Sequence, residues 1–296
     1  VKPATILRTA GNAYLLLLRN VPTVLGIVWA PLSAAAIVSY LTLNEFFALL
    51  TRFSTEPDGH IPTLALGIAA CGIFAWLFLY SMAAAALTDR LRAGRGSMWS
   101  YFRLRHSYLR MFAANMRFLF LLVAAMLAAM LFLRGVLALL GSASQTVMGD
   151  AAALLGRVGQ TPLILPVVFL FLVTGWLFAR VGFLIPAVTI AERGQIVRRA
   201  WALTRKNTWG MIVLWIVLIV LPGAVVQELA EFAVRAAGLV RMPDIYSGDP
   251  LGASSFEAIR TVLPGFVIAL TISNGLCLVL TVCGAIAIYD SLTARP

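Results

Sequence analysis

Apolar residues run along this chain in six long blocks, about 21–43, 63–87, 113–135, 163–188, 209–232 and 263–289, with short polar stretches between them. Each block supplies the roughly 20 apolar residues that a helix needs to cross a bilayer. The pattern predicts an all-α polytopic membrane bundle of six transmembrane helices plus interfacial helices, one transmembrane domain over 1–296. Composition agrees: 61% of residues are hydrophobic and 12% charged, against about 25% charged in a soluble domain.

The stretches between blocks differ in character. Residues 3–18 (PATILRTAGNAYLLLL) are amphipathic and predict a helix lying in the membrane interface. Residues 90–117 hold arginines among Trp99, Tyr101, Phe102, Tyr108 and Phe112, the signature of an interfacial helix anchored by aromatics. Residues 44–62, 134–162 and 233–262 are expected as loops on the opposite side, the second with a short helix at 151–155 and the third opening on an amphipathic helical continuation. Pro31 predicts a kink in the first span, and Pro186 the end of the fourth. Ser33 to Ala36, and Ala124, Ala125, Ala128 and Ala129, offer small-residue faces for close helix packing. Asn274-Gly275 is a place for the last helix to loosen.

The net charge of +11 acquires meaning from its placement. Six of the 23 Lys and Arg (Arg52, Arg134, Arg157, Arg235, Arg241 and Arg260) fall on one side of the six-span arrangement. Arg180 falls within a span, and all the others share the side of the N-terminus. The positive-inside rule then makes both termini cytoplasmic. The basic side faces anionic phospholipid headgroups, and nucleic acid is the poorer partner. Cys71, Cys277 and Cys283 lie inside spans without metal-type spacing, and His60 and His106 lie on opposite sides. No cofactor is expected. The first apolar run is too long for a cleavable signal and lacks a small-residue cleavage site close behind it.

The basic stretches repeat. Arg19-Asn20, Arg105-His106 and Arg205-Lys206-Asn207 each close one and open a span, and Asp89, Glu192 and Asp290 each end the second span of a pair. Units of about 3–90, 97–193 and 194–291 in the same orientation are expected, parallel repeats about an axis along the membrane normal.

Leu184-Ile185-Pro186-Ala187, followed by Ala200-Trp201-Ala202-Leu203-Thr204-Arg205-Lys206-Asn207 and Trp209, resembles the signature of the glycerophosphodiester phosphodiesterase membrane-domain family. The related YciC-like inner-membrane proteins are similar. The resemblance implies a six-span protein of the bacterial inner membrane, the membrane module alone. The catalytic barrel of such phosphodiesterases, with its acidic and histidine metal site, has no counterpart in these residues.

Arg180 is the leading candidate for chemistry. An arginine inside a span costs about 2.5–3.5 kcal/mol on insertion scales. It either binds a lipid phosphate or other anion, or snorkels toward the cytoplasmic surface or pairs with an Asp or Asn of another span. Asn274 is a second polar candidate, for a ligand or for an interhelical hydrogen bond. Arg198, Arg199, Arg205 and Lys206 can grip headgroups or only set topology. Asp89, Glu192 and Asp290 are expected as helix caps or structural ion pairs rather than a proton relay. No nucleophile–base pair shares a face. The expected function is non-enzymatic, lipid-handling or membrane-organising. The alternative is a transporter subunit working with an ATPase, although the coupling-loop pattern is missing from 191–210.

Overall fold

The computed structural model describes residues 3–55, 61–94, 105–147, 161–236 and 253–293. Among them every regular element is helical. An amphipathic α1 (Pro3–Arg19) leads into α2 (Val21–Thr55), α3 (Ile61–Ala93) and α4 (His106–Val147). Then come α5 (Thr161–Arg180), a 3₁₀ turn (Gly182–Leu184), α6 (Ile185–Ala191) and α7 (Ile196–Thr204). The fifth crossing is α8 (Thr208–Trp215), a π-helical turn (Ile216–Val220) and α9 (Leu221–Ala236); α10 (Ala253–Thr293) closes the bundle. Six stretches of helix are long and apolar enough to cross a membrane: Val21–Arg52, Thr63–Arg92, His106–Phe132, Phe169–Ala191, Thr208–Ala230 and Ile259–Thr293. The chain is thus built as a multi-pass membrane protein. Large apolar side chains such as Trp29, Phe120, Leu131, Phe171, Leu229 and Ile272 point outward, as they must where the solvent is hydrocarbon.

Several expected boundaries move. Asn44–Thr55 continues α2 instead of forming a loop, and α4 runs on to Val147. Uninterrupted apolar sequence lets each helix satisfy its own backbone beyond the hydrocarbon slab, so the helices overshoot it. At ~1.5 Å per residue α4 rises ~63 Å, about twice the hydrocarbon thickness. Its first turns hold Tyr108, Arg110 and Phe112, expected on an interfacial helix; they belong to the spanning helix. Residues 95–104, the proposed short helix at 151–155 and His60 lie outside the described residues. Pro31 lies inside an unbroken α2, and α10 passes through Asn274-Gly275 without a break.

The fourth span departs most from expectation. Its first helix ends at Arg180, and Val181 leaves helical geometry (φ −126°, ψ −58°). Pro186, expected to stop the span, instead sits in the first turn of α6. Its missing N–H costs nothing there, and the preceding Ile185 N–H donates to the Gly182 carbonyl.

The core gathers at the arginine-rich end. There the end of α3, the 3₁₀ turn with α6, and the end of α10 pack on one another. Residues 83–88, 181–189 and 278–286 are buried without interruption. A helix buried all round is surrounded by protein, so these three segments form the axis and the others wrap them. Thr88 and Thr189, fully buried, return their hydroxyls to the carbonyls of Ala84 and Ile185, which leaves neither hydroxyl unsatisfied.

Candidate anion site at the basic end

Arg180 is the last residue of a 20-residue helix. It closes the first of the two helices that make up the fourth crossing, and the 3₁₀ turn and α6 continue that crossing beyond it. Two features fix it there. Its carbonyl, one of those a helix C-terminus leaves free, accepts a 2.8 Å hydrogen bond from the Thr204 hydroxyl of α7. Its guanidinium carbon lies 4.2 Å from the centroid of the Trp201 ring and 5.4 Å from that of Trp176. The two indoles meet edge to face with centroids 5.7 Å apart. Such contacts are worth ~0.5–2 kcal/mol each, most where water is excluded. No acid or Asn of another span pairs with Arg180 among the described residues, and its buried Nε has no hydrogen-bond partner.

Trp201 has a second neighbour. With Arg117 of α4, Gln195, and Val197 and Arg198 of α7, it lines a cleft of about 440 Å³ at the basic end. Neither Arg117 nor Arg198 has a hydrogen-bonding or ion-pair partner among the described residues, and no carboxylate lines the cleft. Of the residues singled out from sequence, Arg198 enters this cleft and Arg180 sits behind its tryptophan wall. Arg205 and Lys206 are exposed just past Thr204. Sequence reasoning missed Arg117 and Gln195 as partners. In the sequence Arg117 reads as one more topology-setting arginine of 90–117, and nothing in a one-dimensional pattern brings it beside α7.

The acids at the span ends hold arginines. Asp89 accepts from Arg105 at 2.7 Å, and Asp290 from Arg92 at 3.3 Å. Glu192 takes Arg199 Nε at 3.0 Å and the Tyr289 hydroxyl at 2.9 Å on the same oxygen, while Arg110 donates to its backbone carbonyl. Arg92 also lies 4.7 Å over the Tyr289 ring and donates to the Ala187 carbonyl at 3.5 Å. Arg199, expected with the headgroup-gripping residues, thus belongs to this network. Capping is not the role of these acids. They sit at the C-terminal ends of their helices, where no free N–H awaits an acceptor and the helix dipole disfavours a negative charge. The arginines offset that.

Asn274 is remote from all of this. It lies on a separate cleft of about 370 Å³ between α2, α3 and α10, with Ser39, Thr42 and Trp76 among the lining. It makes no interhelical hydrogen bond among the described residues. Beside it Gly275 admits Leu32 so closely that a Cβ would stand 2.5 Å from the leucine Cδ1. Cys71, Cys277 and Cys283 are free thiols, and no metal-holding group of His, Cys, Asp and Glu occurs among the described residues. Comparison with family models, with characterised proteins and with solved structures finds no match to this chain.

Proposed function

We propose that this protein is a non-enzymatic, lipid-handling or membrane-organising component of a bacterial inner membrane. In this reading both termini are cytoplasmic, and anionic phospholipid headgroups are held at the basic end. One observation carries the reading: the cleft of Arg117, Gln195, Val197, Arg198 and Trp201 presents two guanidiniums without a counter-charge on an apolar wall. Guanidinium forks match phosphate oxygens two at a time. Arg180, pinned between Trp176 and Trp201, orients the indole and adds positive charge behind it. Arg205 and Lys206 extend the basic surface. The three-unit repeat belongs to the same reading: the three segments buried at the axis are the second-span ends of the three expected units.

The test is enrichment of anionic lipid. The chain is purified in mild detergent from mixed vesicles of phosphatidylglycerol and phosphatidylcholine, and the retained lipid is weighed by mass spectrometry. Phosphatidylglycerol should be retained several-fold over its share in the vesicle. Replacing both Arg117 and Arg198 by alanine should remove the excess while thermal stability is kept. An unchanged lipid profile in that double variant would sink the reading.

A further inference from the structure

We infer that the cleft at the basic end prefers a phosphomonoester to a phosphodiester. The inference deepens the anionic-headgroup reading and rests on it. The cleft's donors come from three places: Arg117 on α4, Gln195 ahead of α7, and Arg198 on α7. The carboxylates that could neutralise these arginines are engaged elsewhere: Asp89 with Arg105, Glu192 with Arg199, and Asp290 with Arg92. The site therefore offers two uncompensated positive charges and an amide. A phosphodiester brings one negative charge and two free oxygens, with a substituent on each bridging side. A phosphomonoester brings a charge near −1.5 to −2 at neutral pH and three terminal oxygens. Only the monoester has charge enough for both guanidiniums and an oxygen left for the amide. Val197 and Trp201 form the apolar side of the cleft, suited to the glycerol and first carbons of a lipid, or to the body of a small soluble ester.

The experiment uses the full chain in phosphatidylcholine nanodiscs doped with equal amounts of phosphatidic acid or phosphatidylglycerol. Binding is read by native mass spectrometry at pH 7.5 and pH 5. Phosphatidic acid should bind roughly tenfold more tightly at pH 7.5, the effect of one further charge-assisted hydrogen bond. The preference should vanish at pH 5, below the second phosphate pKa of about 6. Arg198→Gln and Arg117→Gln, each on an exposed side chain, should each reduce it. Arg198→Lys and Arg117→Lys, which keep the charge but lose the fork, serve if either glutamine variant fails to fold. A further arm supplies glycerol 3-phosphate to nanodiscs of phosphatidylcholine alone. Arginine-dependent binding there assigns the phosphomonoester to a soluble source, and its absence alongside phosphatidic acid binding assigns it to a lipid. Equal binding of phosphatidic acid and phosphatidylglycerol, both above phosphatidylcholine, overturns the monoester preference and leaves the anionic-lipid reading standing. Failure of both to exceed phosphatidylcholine overturns the two together.

Discussion

Tyr14 shows how much can turn on one hydroxyl. In the π-helical turn Ile216–Val220 the Leu221 N–H donates five residues back, to the Ile216 carbonyl. The Val217 carbonyl has therefore lost its α-helical donor, Leu221. Its π-helical donor would be residue 222, a proline with no N–H. Tyr14 of α1 fills the vacancy with a 3.0 Å bond from its hydroxyl. Tyr14→Phe strands that carbonyl, and the expected loss is ~1–3 kcal/mol. The measurement is a drop in melting temperature in detergent, absent from the control Tyr40→Phe. Burial raises the Tyr14 pKa above its ordinary 10.0. The sign follows: the neutral donor's contribution is complete below pH 10 and is lost only as pH climbs through the raised value. Sequence marks Tyr14 only as an aromatic on an interfacial helix. Its partner lies 203 positions away, and a π-turn has no signature in hydrophobic periodicity.

Among elements, the fourth span shows both what hydropathy reads and what it misreads. The count of six crossings is legible because length and apolarity alone define a span. Hydropathy cannot tell residues buried by lipid from residues buried by protein. Val181–Thr189 are enclosed by α3, α4 and α10, and a hydropathy window does not separate them from the lipid-facing part of the same crossing. The enclosure is tight enough to test. A Cβ on Gly284 of α10 would stand 2.7 Å from Phe183 Cζ and 3.0 Å from Leu218 Cδ1, whereas one on Gly67 of α3 meets nothing within 4 Å. Phe183 and Leu218 are fully buried and cannot swing away. Gly284→Ala should therefore destabilise by ~1–3 kcal/mol through overpacking. Gly67→Ala should be neutral or slightly stabilising, since alanine is the better helix former by ~1 kcal/mol. Equal melting temperatures for the two variants would show that the 3₁₀ turn is not seated against α10 as described.

At the scale of the whole molecule, the span-end acids tie together helices that are distant in sequence. Their energies should be unequal. Arg92–Asp290 is a solvent-exposed pair, its side chains 29% and 57% accessible, and a double-mutant cycle on it should give only ~0.2–1 kcal/mol, falling with salt. Glu192 takes two donors on one carboxylate oxygen, from α7 and α10. Glu192→Gln should cost more than Asp290→Asn and be less sensitive to salt, which a pair of thermal melts at low and high ionic strength can decide. The same end of the bundle carries the charge bias from which an orientation is predicted. Arg92, Arg105, Arg110, Arg117, Arg199, Arg205 and Lys206 gather there, and the opposite ends of the described helices carry few basic residues. The charge bias that sets topology counts Lys and Arg near the span ends. Reporter fusions should therefore place both termini on the cytoplasmic side, with alkaline phosphatase inactive and green fluorescent protein fluorescent at either end. The bias should be sensitive to charge near the first span: replacing Arg8 and Arg19 with glutamate should give a mixed population at the N-terminus. The C-terminus should stay cytoplasmic, held by the arginines that follow α3 and α7. A fluorescent N-terminal fusion paired with an active C-terminal phosphatase in the unaltered chain would mean an odd number of crossings, and the six-span bundle would have to be redrawn.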